Sequence, residues 1–238
     1  MKTHKDIEIL LKSHTAFIKI NRPPHNYFDS NVIKQIANFL EEMDKNKECR
    51  SIILYSEGKN FCAGANFNEN TFSKGGNVYS NLYEQALRLF KTKKPIIAII
   101  QGAAIGGGLG LALAADFRIA CEESRFSANF GKLGFHQGFG ITITLPYTVG
   151  KQKAKWMLLT SARIKGKKAL EIGLADYFEK KDNLMDKAIS LSNLINSSGP
   201  LGIESIRNTL NKGLIKKLSE AMKNEALEQN KLKETNDF

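Results

Sequence analysis

Residues 94–116 read Lys94-Pro-Ile-Ile-Ala-Ile-Ile-Gln-Gly-Ala-Ala-Ile-Gly-Gly-Gly-Leu-Gly-Leu-Ala-Leu-Ala-Ala-Asp116. The run Ile96 to Ile100 is unbroken, apolar and rich in β-branched residues, which predicts a strand buried on both faces. Three glycines follow, Gly106 to Gly108, and then Leu109 to Ala115, a helix-like run with no polar face. A strand that stops at glycines and feeds a buried helix presents bare backbone N–H groups at the helix's positive end, a setting suited to a developing negative charge. The glycines equally allow helix and strand to approach closely. A triple glycine therefore points to an oxyanion site only where a second donor exists.

That second donor is expected at Phe61-Cys62-Ala63-Gly64-Ala65, another glycine turn, which follows the apolar stretch Ser51 to Ser56. With Ile20-Asn21-Arg22-Pro23 upstream and Gly134 to Gly140 downstream, the two turns resemble the crotonase, or enoyl-CoA hydratase/isomerase, superfamily, over roughly Ile7 to Asp176. The resemblance implies an α/β fold with a β-β-α superhelical (spiral) core over residues 1–182. A C-terminal helical region over 183–238 would then cap the site and build homotrimers, often paired as hexamers. In that family two backbone amides hold the thioester oxygen of an acyl-CoA; carried over by motif, they are those of Ala65 and Gly107. The implied substrate is an acyl-CoA or acyl-carrier thioester, with no separate cofactor and no metal. Arg22, Ala63, Asn66, Phe130, Gln137 and Gly138 are the implied substrate-binding positions.

The chain's 238 residues suffice for one substantial core, and 42% hydrophobic with 25% charged residues is ordinary for a globular protein. No stretch approaches the roughly 18 apolar residues of a membrane helix. The opening Met1-Lys-Thr-His-Lys-Asp-Ile-Glu8 lacks the apolar core of a signal peptide, so a cytoplasmic location without membrane partners is expected. Cys49, Cys62 and Cys121 show neither paired nor metal-type spacing and read as free, mostly buried thiols. The net charge of +11 would draw the phosphates of coenzyme A. Nucleic acid is not expected, because the basic residues are scattered and lack aromatic interleaving.

Along the chain, Glu8 to Leu11 and Ala16 to Ile20 read as a hairpin about Ser13-His14. Asp29 or Ser30 is placed to cap a helix whose apolar residues are Val32, Ile33, Ile36, Ala37, Phe39, Leu40 and Met43. Asn66 to Asn77 reads as a mobile loop or short helix over the acyl chain and Val78 to Lys91 as helix. Phe117 to Cys121 is a short strand. Helices are expected over Lys151 to Thr160, Lys167 to Leu174, Leu184 to Leu194, Leu201 to Leu210 and Leu214 to Leu227. In the last, residues 214, 218, 221 and 222 make an apolar stripe that must cover something.

The chemistry departs from the family pattern. The best-known hydratases add water with two glutamates; aligned by motif, their positions fall on Gly110 and Phe130. The aspartate position of some dienoyl isomerases and a dehalogenase falls on Gly138. None of the three is an acid, so a standard two-glutamate hydration is not expected. The acid–base candidates that remain are His136, of a side-chain type that titrates near neutral pH, and Glu69 on the loop. Each is equally readable as an ordinary loop residue. The stretch Ser127-Ala-Asn-Phe-Gly-Lys-Leu-Gly-Phe-His-Gln-Gly-Phe-Gly140 also resembles decarboxylating crotonases of polyketide pathways, for which Lys74 is a candidate proton donor. A third possibility is a thioester-binding protein without catalysis.

Overall fold

The computed structural model describes residues 2–3, 6–66 and 82–237. The elements run, in order, β1 (Lys2–Thr3), β2 (Ile7–Lys12), β3 (Thr15–Ile20), α1 (Ser30–Lys45), β4 (Ser51–Ser56), α2 (Glu84–Leu89), β5 (Ile96–Ile100), β6 (Ala103–Ile105) and α3 (Gly107–Leu113). There follow β7 (Phe117–Ala120), β8 (Arg125–Ser127), a 3-10 turn (Asn129–Leu133), α4 (Ile141–Val149), α5 (Lys151–Thr160), β9 (Ile164–Lys165), α6 (Gly166–Glu171) and β10 (Tyr177–Phe178). Helices α7 (Leu184–Asn196), α8 (Pro200–Leu210) and α9 (Leu214–Leu232) complete the chain.

One sheet has the order β1-β2-β3-β4-β5-β7-β10, antiparallel from β1 to β3 and parallel beyond. A second, smaller sheet is β6-β8-β9. The mixed sheets and helices give the expected α/β class. Ile96 to Ile100 is buried along its whole length because both faces of the large sheet are covered. One face joins the principal core with α1 and α3. On the other, Ile53, Ile97, Ile99 and Ile119 meet Leu184, Ala188 and Leu191 of α7.

Local chemistry fixes the leading elements. Ser13 and His14 both take positive φ, 49° and 65°, the twist a two-residue hairpin needs. Asp29 caps α1, its side chain accepting from Val32 N at 2.7 Å, and all seven expected apolar positions of that helix are buried. Gly173, at φ +75°, ends α6 as a C′ glycine.

Some boundaries differ. Helix α3 begins two residues before the apolar run, at Gly107, because Gly106 at φ 55°, ψ −122° makes the sharp bend first. The strand expected over Phe117 to Cys121 ends at Ala120, since Cys121 N already bonds the Ser124 hydroxyl, at 2.7 Å. Of the helix expected over 78–91, residues 84–89 are helical and 78–81 fall outside the described residues. Helix α9 runs on to Leu232, and Leu218, Met222 and Ala226 on it belong to the principal core.

Candidate active site

The two glycine turns meet through the backbone. Cys62 N donates to Ala103 O at 2.8 Å and Ile105 N to Cys62 O at 3.1 Å, forming a parallel bridge between Cys62 and Ala104. Ala65 and Gly107 each lie three residues past that bridge, so chain segments distant in sequence are carried side by side. A second bridge, Phe28 to Ala65, holds the first turn from the other side. Among the described residues, neither Ala65 N nor Gly107 N has a hydrogen-bond acceptor.

Both residues line one cavity of about 60 Å³, together with Ala63, Gly64, Phe130 and Gly138. Its remaining walls are chiefly apolar: Phe28, Leu82, Ile105, Leu133, Phe135 and Phe139. The polar side chains on it are Tyr83, Asn129 and Gln229, and no charged group lines it among the described residues. Asn129 lies against the glycine bend, its Oδ1 3.2 Å from where a β-carbon of Gly106 would stand.

Aromatic rings occupy the space that other side chains would need. A β-carbon on Gly107 would meet Phe28 Cζ at 2.5 Å, and one on Gly110 would meet Phe139 Cβ at 2.6 Å. Phe28 and Phe139 touch each other, tilted at 56° with centroids 5.3 Å apart. Position 110, where the sequence resemblance would put a glutamate, has no room for a side chain. Gly138 is closed likewise, since a β-carbon there would lie 1.8 Å from Tyr83 Oη.

Four of the expected residues are not among those lining the cavity. The Arg22 guanidinium is turned to Asp29, at 2.7 Å, and to the Tyr27 carbonyl, at 3.0 Å, so it braces the start of α1. The Asn66 backbone N–H donates to Phe28 O at 2.8 Å. His136 turns its ring to the Gln137 carbonyl, at 2.8 Å, and Gln137 donates to Thr142 Oγ1 at 3.2 Å. Glu69, Lys74 and the rest of the Asn66–Asn77 segment beyond Asn66, expected as a loop or short helix, lie outside the described residues. Cys62 is fully buried, and burial pushes its thiol up to about 12, which makes it an inert packing group.

Sequence reasoning missed Tyr83 and Gln229. Helix α9 carries Glu225 and Gln229 on the same buried face as Leu218, Met222 and Ala226. Glu225 accepts from Gly140 N at 2.8 Å and Thr142 N at 3.0 Å, capping α4. Burial raises the pKa of this carboxyl. The signal was present: polar residues at helical spacing on an apolar stripe mark a face that meets polar backbone.

The family model described as enoyl-CoA hydratase/isomerase matches residues 11–238. The chain belongs to the enoyl-CoA hydratase/isomerase family. It is 34% identical over 227 residues to YngF of Bacillus subtilis (strain 168), covering 93% of this chain and 86% of that one. It is 33% identical over 206 residues to the short-chain-enoyl-CoA hydratase of Clostridium acetobutylicum, covering 84% and 78% respectively. The fold matches a crystal structure of an enoyl-CoA hydratase from Mycobacterium avium subsp. paratuberculosis K-10 with a TM-score of 0.90 at 22% identity, over 100% of this chain and 98% of that one. Family membership makes the cavity between the glycine turns the candidate active site. No helix among the described residues is long and apolar enough to cross a membrane.

Proposed function

We propose that the protein is an acyl-CoA thioester enzyme in which the Ala65 and Gly107 amides hold the thioester oxygen as it takes on enolate charge. The observation that carries this is the pair of unaccepted N–H groups, three residues past a shared bridge, on one mostly apolar cavity. In a dry site each such donor lowers the barrier substantially, because it needs no reorganisation as charge develops. With Gly110 and Gly138 closed and Phe130 apolar, the chemistry is not addition of water between two glutamates. Enolate formation with proton transfer by another group, as in an isomerase, and loss of CO2 from an α-carboxyacyl (malonyl-type) thioester, whose C–C electron pair passes to the enolate before Cα is protonated, both use such a hole without a carboxylate pair. The substrate partner is an acyl-CoA and the working form is a homotrimer or a pair of trimers. Exposed Leu194, Leu201, Ile206 and Leu210 on α7 and α8 supply the apolar surface for that association.

The test separates the amide from the side chain it replaces. Gly107→Ala and Gly107→Pro place the same β-carbon against Phe28, and proline is tolerated at a first helical position. Only the proline removes the N–H. Against crotonyl-CoA, a 3-enoyl-CoA and methylmalonyl-CoA, whichever is turned over, the proline variant should be about 10²–10³ slower than the alanine variant. Equal rates would remove the hole from the mechanism. Turnover of methylmalonyl-CoA alone would identify a decarboxylase.

A further inference from the structure

One wall of the cavity has no part in the enolate chemistry above. Tyr83, just before α2, is 3% exposed, and its hydroxyl donates to Gln229 Oε1 of α9 at 2.7 Å. Gln229 Nε2 in turn donates to the His136 carbonyl at 2.9 Å. The pair stands directly against Gly138, whose β-carbon, if present, would lie 1.8 Å from Tyr83 Oη and 2.6 Å from Gln229 Nε2. Glycine at 138 is therefore the condition for this pair to border the cavity.

The hydrogen-bonding inventory says what the pair can bind. A phenol carries one proton and a primary amide two. The Tyr83 proton is directed at Gln229 and one Gln229 proton at the His136 carbonyl. The Phe139 backbone N–H also reaches the phenol oxygen, which leaves one lone pair on Tyr83 Oη and one N–H on Gln229. A hydroxyl complements both, donating to the first and accepting from the second. A carboxylate brings acceptors alone, into a cavity with no charged side chain among the described lining residues. An apolar chain end leaves both groups unpaired. Burial holds the Tyr83 phenol well above its ordinary range, so it stays neutral and keeps this pattern.

Size sets the second constraint. A cavity of about 60 Å³ has room for about five water-sized groups. A thioester carbonyl and about three further carbons fill it.

We propose that Tyr83 and Gln229 are the specificity-determining pair of this site, limiting it to acyl groups of about four carbons and favouring those that carry a hydroxyl. The proposal rests on the acyl-thioester function proposed above. Calorimetric titration of the full chain with coenzyme A, butyryl-, hexanoyl- and octanoyl-CoA and 3- and 4-hydroxybutyryl-CoA tests it. Wild type should bind butyryl-CoA more tightly than coenzyme A and gain nothing at octanoyl-CoA. It should prefer one of the hydroxybutyryl thioesters over butyryl-CoA by about tenfold, the worth of one well-placed hydrogen bond. Tyr83→Phe should keep the length limit and lose the hydroxyl preference. Tyr83→Ala, or Tyr83→Leu if alanine melts below the assay temperature, should gain about fourfold for each added methylene the cavity then accepts. A wild type whose affinity climbs fourfold per methylene to octanoyl-CoA overturns the proposal and leaves thioester binding standing. A hydroxyl preference that survives Tyr83→Phe also overturns it. Equal affinity for coenzyme A and every acyl form overturns the proposal and the thioester function together.

Discussion

Replacing Gly110 with alanine should be more harmful than any propensity scale allows. Position 110 lies in α3, where alanine gains about 1 kcal/mol over glycine. Here, however, the new β-carbon would stand 2.6, 2.8 and 2.9 Å from Cβ, Cδ1 and Cγ of Phe139. Phe139 is 1% exposed and held at φ +61°, and its Cβ is fixed to the backbone, so no rotation clears the contact. Overpacking of this kind costs about 1–3 kcal/mol, and a backbone-fixed contact belongs at the upper end. The net loss expected is about 2 kcal/mol, or about 4–8 °C in melting temperature for a chain this long. Phe139→Gly removes the obstructing Cβ at a position whose φ favours glycine. In that background Gly110→Ala should become neutral or stabilising, giving a coupling of about 2–3 kcal/mol in a urea-denaturation double-mutant cycle. The same cost in both backgrounds would refute the steric closure. It would also return Gly110 to the positions where a glutamate can be introduced.

Other outcomes follow from features already described. Asp29→Ala removes the α1 cap and the partner of Arg22, and should cost about 1–2 kcal/mol in urea denaturation. Glu225 has a pKa raised by burial, so the folded state holds its proton more tightly than the unfolded one. Its contribution is complete below the unfolded carboxylate range and is lost as pH rises through the raised value. Hydrogen exchange in α9 should therefore quicken over that window, and Glu225→Gln should flatten the slope. Leu201 and Leu210 are 80% and 71% exposed, so Leu201→Glu with Leu210→Glu should shift the sedimentation mass toward the monomer with little change in far-UV circular dichroism.

The large sheet and α1 were legible because their information is local: period-two alternation in β3, an unbroken apolar β5, and a cap followed by helical spacing. The strands of the small sheet were not legible. β8 has three residues and β9 two, too few to show a period, and they exist because β6 offers them a partner. Helix α4 escaped notice because Pro146 lies inside it and most of its residues are β-branched or otherwise apolar, with no polar face. At the site, glycines mark where the backbone turns, so Ala65 and Gly107 could be named from motif. The spacing of Gln229 on its helix was readable, but its pairing with Tyr83 was not, because that contact spans 146 residues. The absence of acids at positions 110, 130 and 138 was readable directly. That Phe139 and Tyr83 occupy the vacated space required coordinates.

The hydrogen bond between Tyr83 and Gln229 also sets a timetable for biosynthesis. At about 5–20 residues per second, a ribosome that has made one partner needs roughly 7–30 s to reach the other. Late in that interval, once Phe130, Phe135 and Phe139 have been made, the apolar walls of the hollow exist without the helix that carries Gln229. A chaperone competing for that hollow would act on the growing chain just where the finished protein has its candidate active site.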